Sequence, residues 1–144
     1  MKTTYGAKGL VFNDKGQALL LRRSVSDEIR PGDFDLPGGR TDKGEAITST
    51  FAREVLEETG LVVYDVCIVR ANSAIVEGTN RVWLFCIAKT KDTTVTLSHE
   101  HDAYEWHTLE SMHEIMKYRH IKDGADTKTG DGYVIHFLFS FGFQ

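Results

Sequence analysis

Apolar residues in this chain fall into short runs, and polar turns separate them. Residues 5–12 and 17–21 read as strands, and Asn13-Asp14-Lys15-Gly16 between them is a strong hairpin-turn signal. Residues 24–33 are polar and contain Pro31-Gly32, which predicts a loop. The Leu36-Pro37-Gly38-Gly39 run reads as a strand end entering a turn. From about residue 46 to residue 59, Phe51, Ala52, Val55 and Leu56 gather on one side of a 3.6-residue repeat. This predicts a helix stopped by Gly60 in a left-handed conformation. Residues 62–73 and 82–88 read as strands joined by a turn near residues 77–80, and 103–107 as another short strand. Thr108 is placed to cap a helix over residues 109–116. Residues 119–132 are polar and contain glycine, so they read as a long loop. Residues 133–143 are strongly apolar and favour a final packed helix, although their periodicity serves a strand equally well. Strands interleaved with two or three helices give a mixed α/β class. A length of 144 residues without repeats or linkers fits one domain spanning 1–144.

The helix over residues 46–59 carries the chemistry. Glu54, Glu57 and Glu58 sit at i, i+3 and i+4, so their carboxylates share one face, opposite the apolar stripe. Like charges on adjacent turns repel, and folding alone does not call for them. A divalent cation reverses the sign of that repulsion, because Mg²⁺ takes carboxylate oxygens together with substrate phosphates. Arg53 lies four residues before Glu57, within reach to orient its carboxylate.

Gly39, Glu45, Arg53, Glu54, Val55, Glu57, Glu58, Gly60 and Leu61 stand at the spacing G-x5-E-x7-R-E-U-x-E-E-x-G-U. The stretch resembles the Nudix box at every specified position, and the chain looks like a Nudix hydrolase of the MutT type. Weaker similarity covers nearly the whole chain, with Phe34 where many relatives carry Trp. The resemblance implies an α/β/α sandwich around a mixed sheet, and hydrolysis of a nucleoside diphosphate linked to another group. It implies Mg²⁺ or Mn²⁺ held by Glu54, Glu57, Glu58 and the Gly38 carbonyl. Glu100 matches a loop acid that many relatives use for metal or base work, so the general base is either a box glutamate or Glu100. Glu45 is expected to support Arg53. Arg23 and Arg40 are phosphate-clamp candidates, since Arg suits forked contacts with phosphate. Arg22 and Arg23 alternate across a strand, so only one can face the cleft; Arg23 is taken as that one, with a surface salt bridge as its alternative role. Phe34, Tyr133 and Phe137 are candidates to stack on a base.

Composition narrows the partners. Hydrophobic residues at 41% and charged residues at 26% are ordinary for a soluble protein, and no apolar run reaches the length of a membrane span. A net charge of −4 argues against a stable nucleic-acid partner, which would need many Lys and Arg contacts. Cys67 and Cys86 lie in apolar strand-like segments and read as buried, reduced thiols. A cytoplasmic enzyme is expected, as monomer or homodimer. His99, His101 and His107 cluster in sequence, but a second ligand group at zinc spacing is missing. His99 or His101 is left to assist water or phosphate near the cleft, and His113 and His136 read as helix residues. Markers for ADP-ribose, NADH, coenzyme A and dinucleoside polyphosphate specificity are absent, which leaves an ordinary or oxidised nucleoside triphosphate as the default substrate. Hydrolysis of ADP-ribose, nucleotide sugars or dinucleoside polyphosphates is the alternative. A non-catalytic nucleotide-binding module is disfavoured because every box carboxylate is retained. Prenyl diphosphate isomerisation is disfavoured because no cysteine-centred motif is present, and RNA cap removal because no basic tract is.

Overall fold

The computed structural model describes residues 1–28 and 31–122, with side chains described through Ile115. Its elements are β1 (Lys2–Phe12), β2 (Ala18–Arg23), β3 (Phe34–Asp35), β4 (Gly38–Arg40), α1 (Ile47–Thr59), β5 (Val63–Val76), β6 (Thr79–Thr90), β7 (His101–His107) and α2 (Leu109–Lys122). The strands form one mixed sheet in the order β3-β2-β1-β6-β5, with β4 also on β1 and β7 also on β2. β1 runs parallel to β6 along its whole length, from Lys2 opposite Thr79 to Phe12 opposite Lys89, and the other pairings are antiparallel.

Period-two alternation divides the core into two layers. Ala7 and Val11 of β1, Leu19 and Leu21 of β2, and Cys86 and Ala88 of β6 pack with Phe51 and Val55 of α1. Leu10, Leu20 and Phe85 point the other way, against Leu109 and Met112 of α2. The expected sandwich is therefore present, with a helix on each face.

The hairpin forms at Asn13, whose side-chain carbonyl accepts the backbone N–H groups of Lys15 and Gln17 at 3.0 and 2.9 Å. α1 ends at Gly60, with φ of 73°, as its sequence predicts. Thr108 caps α2 by accepting the Ser111 N–H at 3.1 Å. Four expectations need correction. β5 and β6 are longer than their apolar runs, because a two-residue turn at Glu77-Gly78 lets polar residues pair to its edge. α2 continues through Lys122, so the polar stretch from residue 119 begins as helix. Gly38 and Gly39 belong to strand β4 rather than to a turn. Cys67 is exposed, because irregular pairing beside it breaks the alternation that would have turned it inward, whereas Cys86 is buried as expected. Burial pushes the Cys86 thiol up to about 12, with Cys67 adding to the shift. The expected helix over 133–143, with Tyr133, His136 and Phe137, lies outside the described residues.

β1 and β2 share register at Phe12 opposite Ala18 and then diverge. β4 lines β1 at Gly6–Lys8, while β3 and β7 line β2. The functional residues lie on this splayed part of the sheet, with Gly38 and Gly39 on β4, Asp35 on β3 and His101 on β7.

Candidate functional site

The glycines come first, because they let α1 approach the sheet. Gly38 adopts φ of 143°, and a Cβ there would stand 2.1 Å from the Ala7 carbonyl oxygen. A Cβ on Gly39 would stand 2.5 Å from the Glu54 carboxyl carbon. A bare backbone therefore lies directly beneath the acidic face of α1. The Gly38 N–H donates to Glu58 Oε1 at 2.8 Å.

Arg53 organises the same face. Its Nε donates to Glu45 Oε2 at 2.7 Å, and its Nη1 to Glu54 Oε1 at 3.0 Å and Glu57 Oε2 at 3.2 Å. Its Nη2 reaches the Arg40 carbonyl at 3.2 Å. Glu45 also accepts from Thr50 Oγ1 at 2.7 Å. The hydrogen bond from Arg53, with help from Thr50, holds the Glu45 carboxyl down at about 2. One guanidinium thus fixes three carboxylates, with Glu45 behind it and Glu54 and Glu57 before it.

The three helix acids differ sharply in environment. Glu57 is 57% exposed, whereas the Glu58 side chain is 5% exposed. Burial pushes Glu58 up to about 8, against the Gly38 hydrogen bond, with Asp35 and Glu54 adding to the rise. Burial also raises Glu54, against the pull of Arg53. Carboxyls that resist ionisation beside one another mark a place where a cation would be stabilised, so the residues fit a bound divalent metal.

Glu100 reaches the site from the β6–β7 connection. Two backbone bonds tie that connection to the end of α1, Thr96 N–H to the Thr59 carbonyl at 2.8 Å and Ser98 N–H to the Glu58 carbonyl at 3.1 Å. The Glu100 side chain is exposed, and its carboxylate converges with Glu58 and His101. The structure therefore brings Gly38, Glu54, Glu57, Glu58, Arg53 and Glu100 together.

The expected substrate-side residues fare differently. Arg23 is committed to carboxylates, with Nη2 to Asp27 Oδ2 at 2.6 Å and Nη1 to Asp35 Oδ2 at 3.3 Å. Burial works against its charge, but these two acids raise its basicity. Arg22 pairs with Asp102 at the surface at 3.0 Å. Arg40 is exposed at the end of β4, and Phe34 packs against the α2-side core. The three neighbouring histidines do not form one cluster. His99 is exposed, His101 is buried, and His107 pairs with Glu105 and Ser111.

Sequence reasoning missed a buried polar chain behind Glu58. Lys8 Nζ donates to Asp35 Oδ1 at 2.6 Å, and His101 Nε2 lies 3.1 Å from Asp35 Oδ2. His101 Nδ1 lies 3.5 Å from Glu58 Oε2. Burial alone would raise Asp35, but Lys8 and His101 hold it well below the usual carboxylate range. A lysine at an inward position of an apolar strand, and an aspartate just before Leu-Pro-Gly-Gly, were the available signals.

Comparison with known proteins agrees with this geometry. A NUDIX domain model matches residues 2–126. An 8-oxo-(d)GTP phosphatase of Mycolicibacterium smegmatis is 32% identical over 123 residues, covering 79% of this chain and 38% of that protein. A putative 8-oxo-dGTP diphosphatase of Bacillus subtilis is 44% identical over 57 residues, covering 40% of this chain and 35% of that protein. The chain thus aligns with little more than a third of the length of either relative. The crystal structure of a MutT protein from Methanosarcina mazei Go1 superposes with a TM-score of 0.64 at 32% identity, covering 77% of this chain and 80% of that one. A C. elegans Ap4A hydrolase shares the fold, with a TM-score of 0.68 at 23% identity over 96% of both chains. With the box residues assembled on α1 and the domain model matched across most of the sequence, the chain belongs to the Nudix hydrolase family.

Proposed function

We propose that this protein is a divalent-cation-dependent pyrophosphohydrolase of nucleoside triphosphates, ordinary or oxidised. The convergence of Glu54 and Glu58 on the bare Gly38-Gly39 backbone, with Glu57 tied to Arg53 beside them and Glu58 driven up to about 8, carries the reading. Glu54, Glu57, Glu58, Glu100 and the Gly38 carbonyl are the assigned donors for Mg²⁺ or Mn²⁺. A cation held by these residues would supply neutralisation of phosphate oxygens and activation of water. The rest falls to the chain. Arg53 keeps Glu54 and Glu57 aimed, Glu100 is exposed on its loop to accept the water's proton, and Arg40 meets phosphate at the mouth.

The nucleoside has a natural seat on the α2 face of the sheet. Trp83 lies over Gly6, where a Cβ would meet its ring at 2.4 Å, and Lys8 Nζ stands 5.8 Å from the ring centroid. Cross-strand register puts Arg81 and Trp83, two strands from Arg40, on this face, with Asn72 and Arg70 one strand further on. Arg81 Nε is buried without a hydrogen-bond partner. A base stacked on Trp83 would offer it a carbonyl acceptor. Trp83→Ala is expected to raise KM about tenfold or more with kcat little changed, as measured by steady-state kinetics.

The relatives named for 8-oxo-dGTP and 8-oxo-(d)GTP support the triphosphate choice. A mouse relative, 30% identical over 92 residues, is named as an asymmetrical bis(5'-nucleosyl)-tetraphosphatase, which makes dinucleoside polyphosphates the second reading. The test is phosphate and pyrophosphate release with Mg²⁺. The panel holds ordinary and oxidised triphosphates, dinucleoside polyphosphates, ADP-ribose and nucleotide sugars. Turnover of a triphosphate is expected, falling at least about 100-fold in Glu57→Gln. Equal turnover by Glu57→Gln, or tight nucleotide binding without hydrolysis, would sink the reading.

A further inference from the structure

His101 opens β7, and its side chain is 2% exposed. Behind it, Asp35 is held by Lys8 and Arg23 at 2.6 and 3.3 Å, two cations that keep it an acceptor. The contact from His101 Nε2 to Asp35 Oδ2 at 3.1 Å therefore places the ring proton on Nε2. In the neutral ring the lone pair is then on Nδ1. That atom is buried, has no hydrogen-bond partner and faces Glu58 Oε2 at 3.5 Å. A buried ring nitrogen without a hydrogen-bond partner, aimed at a carboxylate rather than into the apolar core, calls for a ligand of its own. A second carboxylate converges on the same point, since ligand atoms of Glu58, Glu100 and His101 all lie within 4.8 Å of one another. Donors about 2 Å from a shared ion stand up to about 4 Å apart. Glu100 is the exposed member of the three and has room to move toward the other two. A carboxylate behind an imidazole, with the other ring nitrogen turned to the site, is how proteins fix the tautomer and raise the basicity of a metal-binding histidine.

We propose that His101 is a metal ligand through Nδ1, and that with Glu58 and Glu100 it forms a nitrogen-containing site for a divalent transition ion such as Mn²⁺, Co²⁺ or Zn²⁺. Asp35 acts through His101 and is a positioning residue. The inference rests on the metal-dependent reading above and sharpens it. An all-oxygen site suits Mg²⁺, whereas an imidazole ligand shifts preference along the series toward the later ions.

The test uses the metal-free full-length protein titrated with Mn²⁺ and followed by electron paramagnetic resonance. Pulsed measurements on the bound ion detect ¹⁴N coupling from a directly ligated imidazole. The expected result is ¹⁴N coupling in the wild type that disappears in His101→Asn, together with Mn²⁺ affinity weakened about 10- to 100-fold and Mg²⁺ affinity changed less than about threefold. Absence of coupling in the Mn²⁺-bound wild type overturns the proposal and leaves His101 a strut between Asp35 and Glu58. Coupling that persists in His101→Asn, or no Mn²⁺ binding at all, overturns it too. The wild-type spectrum needs no substitution, so a variant that fails to fold does not spoil the test. Failure here with Mg²⁺-dependent hydrolysis intact defeats this inference alone. Nitrogen coupling without hydrolysis of any nucleotide defeats the hydrolase reading instead.

Discussion

Glu58→Gln is expected to lower turnover by about three orders of magnitude or more, while leaving the metal-free protein more stable than the wild type at pH 8. Both effects follow from one buried carboxyl. Burial pushes Glu58 up to about 8, whereas an unfolded chain would titrate it near 4.3. Between those values the folded state holds a proton that the unfolded state has released. The stabilisation from this proton is complete below the unfolded value and is lost as pH rises through the folded one. The loss amounts to roughly a few kcal/mol, so the metal-free wild type should weaken steadily from about pH 4.5 to pH 8. Gln has no charge to bury, still accepts the Gly38 N–H, and presents an amide N–H toward His101 Nδ1. A divalent ion reverses the wild-type trend, since it needs the ionised carboxylate. Added Mg²⁺ or Mn²⁺ should therefore raise the wild-type Tm more at pH 8 than at pH 6, and the variant's Tm hardly at all. Melting curves in chelator and in metal at both pH values, run beside turnover, check the whole set. A variant that keeps its turnover, or that melts below wild type at pH 8 in chelator, would contradict the assignment of Glu58.

The acidic face of α1 is legible because it is local. Glu54, Glu57 and Glu58 share a side by helical geometry alone, Gly60 stops the helix within its own turn, and the reach of Arg53 to Glu57 is a one-turn contact. What pairing decides is not legible in the same way. Glu57 and Glu58 are neighbours in sequence, yet one is open and the other buried, because Glu58 and not Glu57 turns under the β4 backbone. Arg23 reads as a phosphate clamp until Asp27 and Asp35 are seen to hold it. Lys8, Asp35 and His101 meet across sequence gaps of 27 and 66 residues. They meet because β1 and β2 pair only beside the hairpin, at Phe12 opposite Ala18, and further along β4 takes up β1 while β3 and β7 take up β2. Cys67 misleads for a related reason, since irregular strand pairing shifts the face of the residue beside it.

Gly38→Ala and Gly39→Ala, adjacent and chemically identical changes, should fail in different ways. At Gly38 a methyl group meets backbone, standing 2.1 Å from the Ala7 carbonyl oxygen and 2.6 Å from the Lys8 Cα, at a φ of 143° that alanine resists. β1 lies inside the sheet between β6 and β4 and cannot retreat, so β4 must peel away from it. The cost is on the order of 3–5 kcal/mol. In a protein of this size that lowers Tm by about 10–20 °C. It also withdraws the N–H that Glu58 accepts. At Gly39 the methyl group meets the end of a flexible side chain, the Glu54 carboxyl at 2.5 Å, which swings aside. The fold should survive with a Tm loss of a few °C at most, but Glu54 leaves its 3.0 Å contact with Arg53 and its aim at the metal. Displacement of about 1 Å in such a site costs roughly 100-fold in rate. Calorimetry and turnover on the two proteins separate the outcomes. A Gly38→Ala protein that melts like wild type would show that β4 is not pinned to β1 as described. Full turnover by Gly39→Ala would show that the position of Glu54 does not matter to the reaction, and would remove it from the assigned donors.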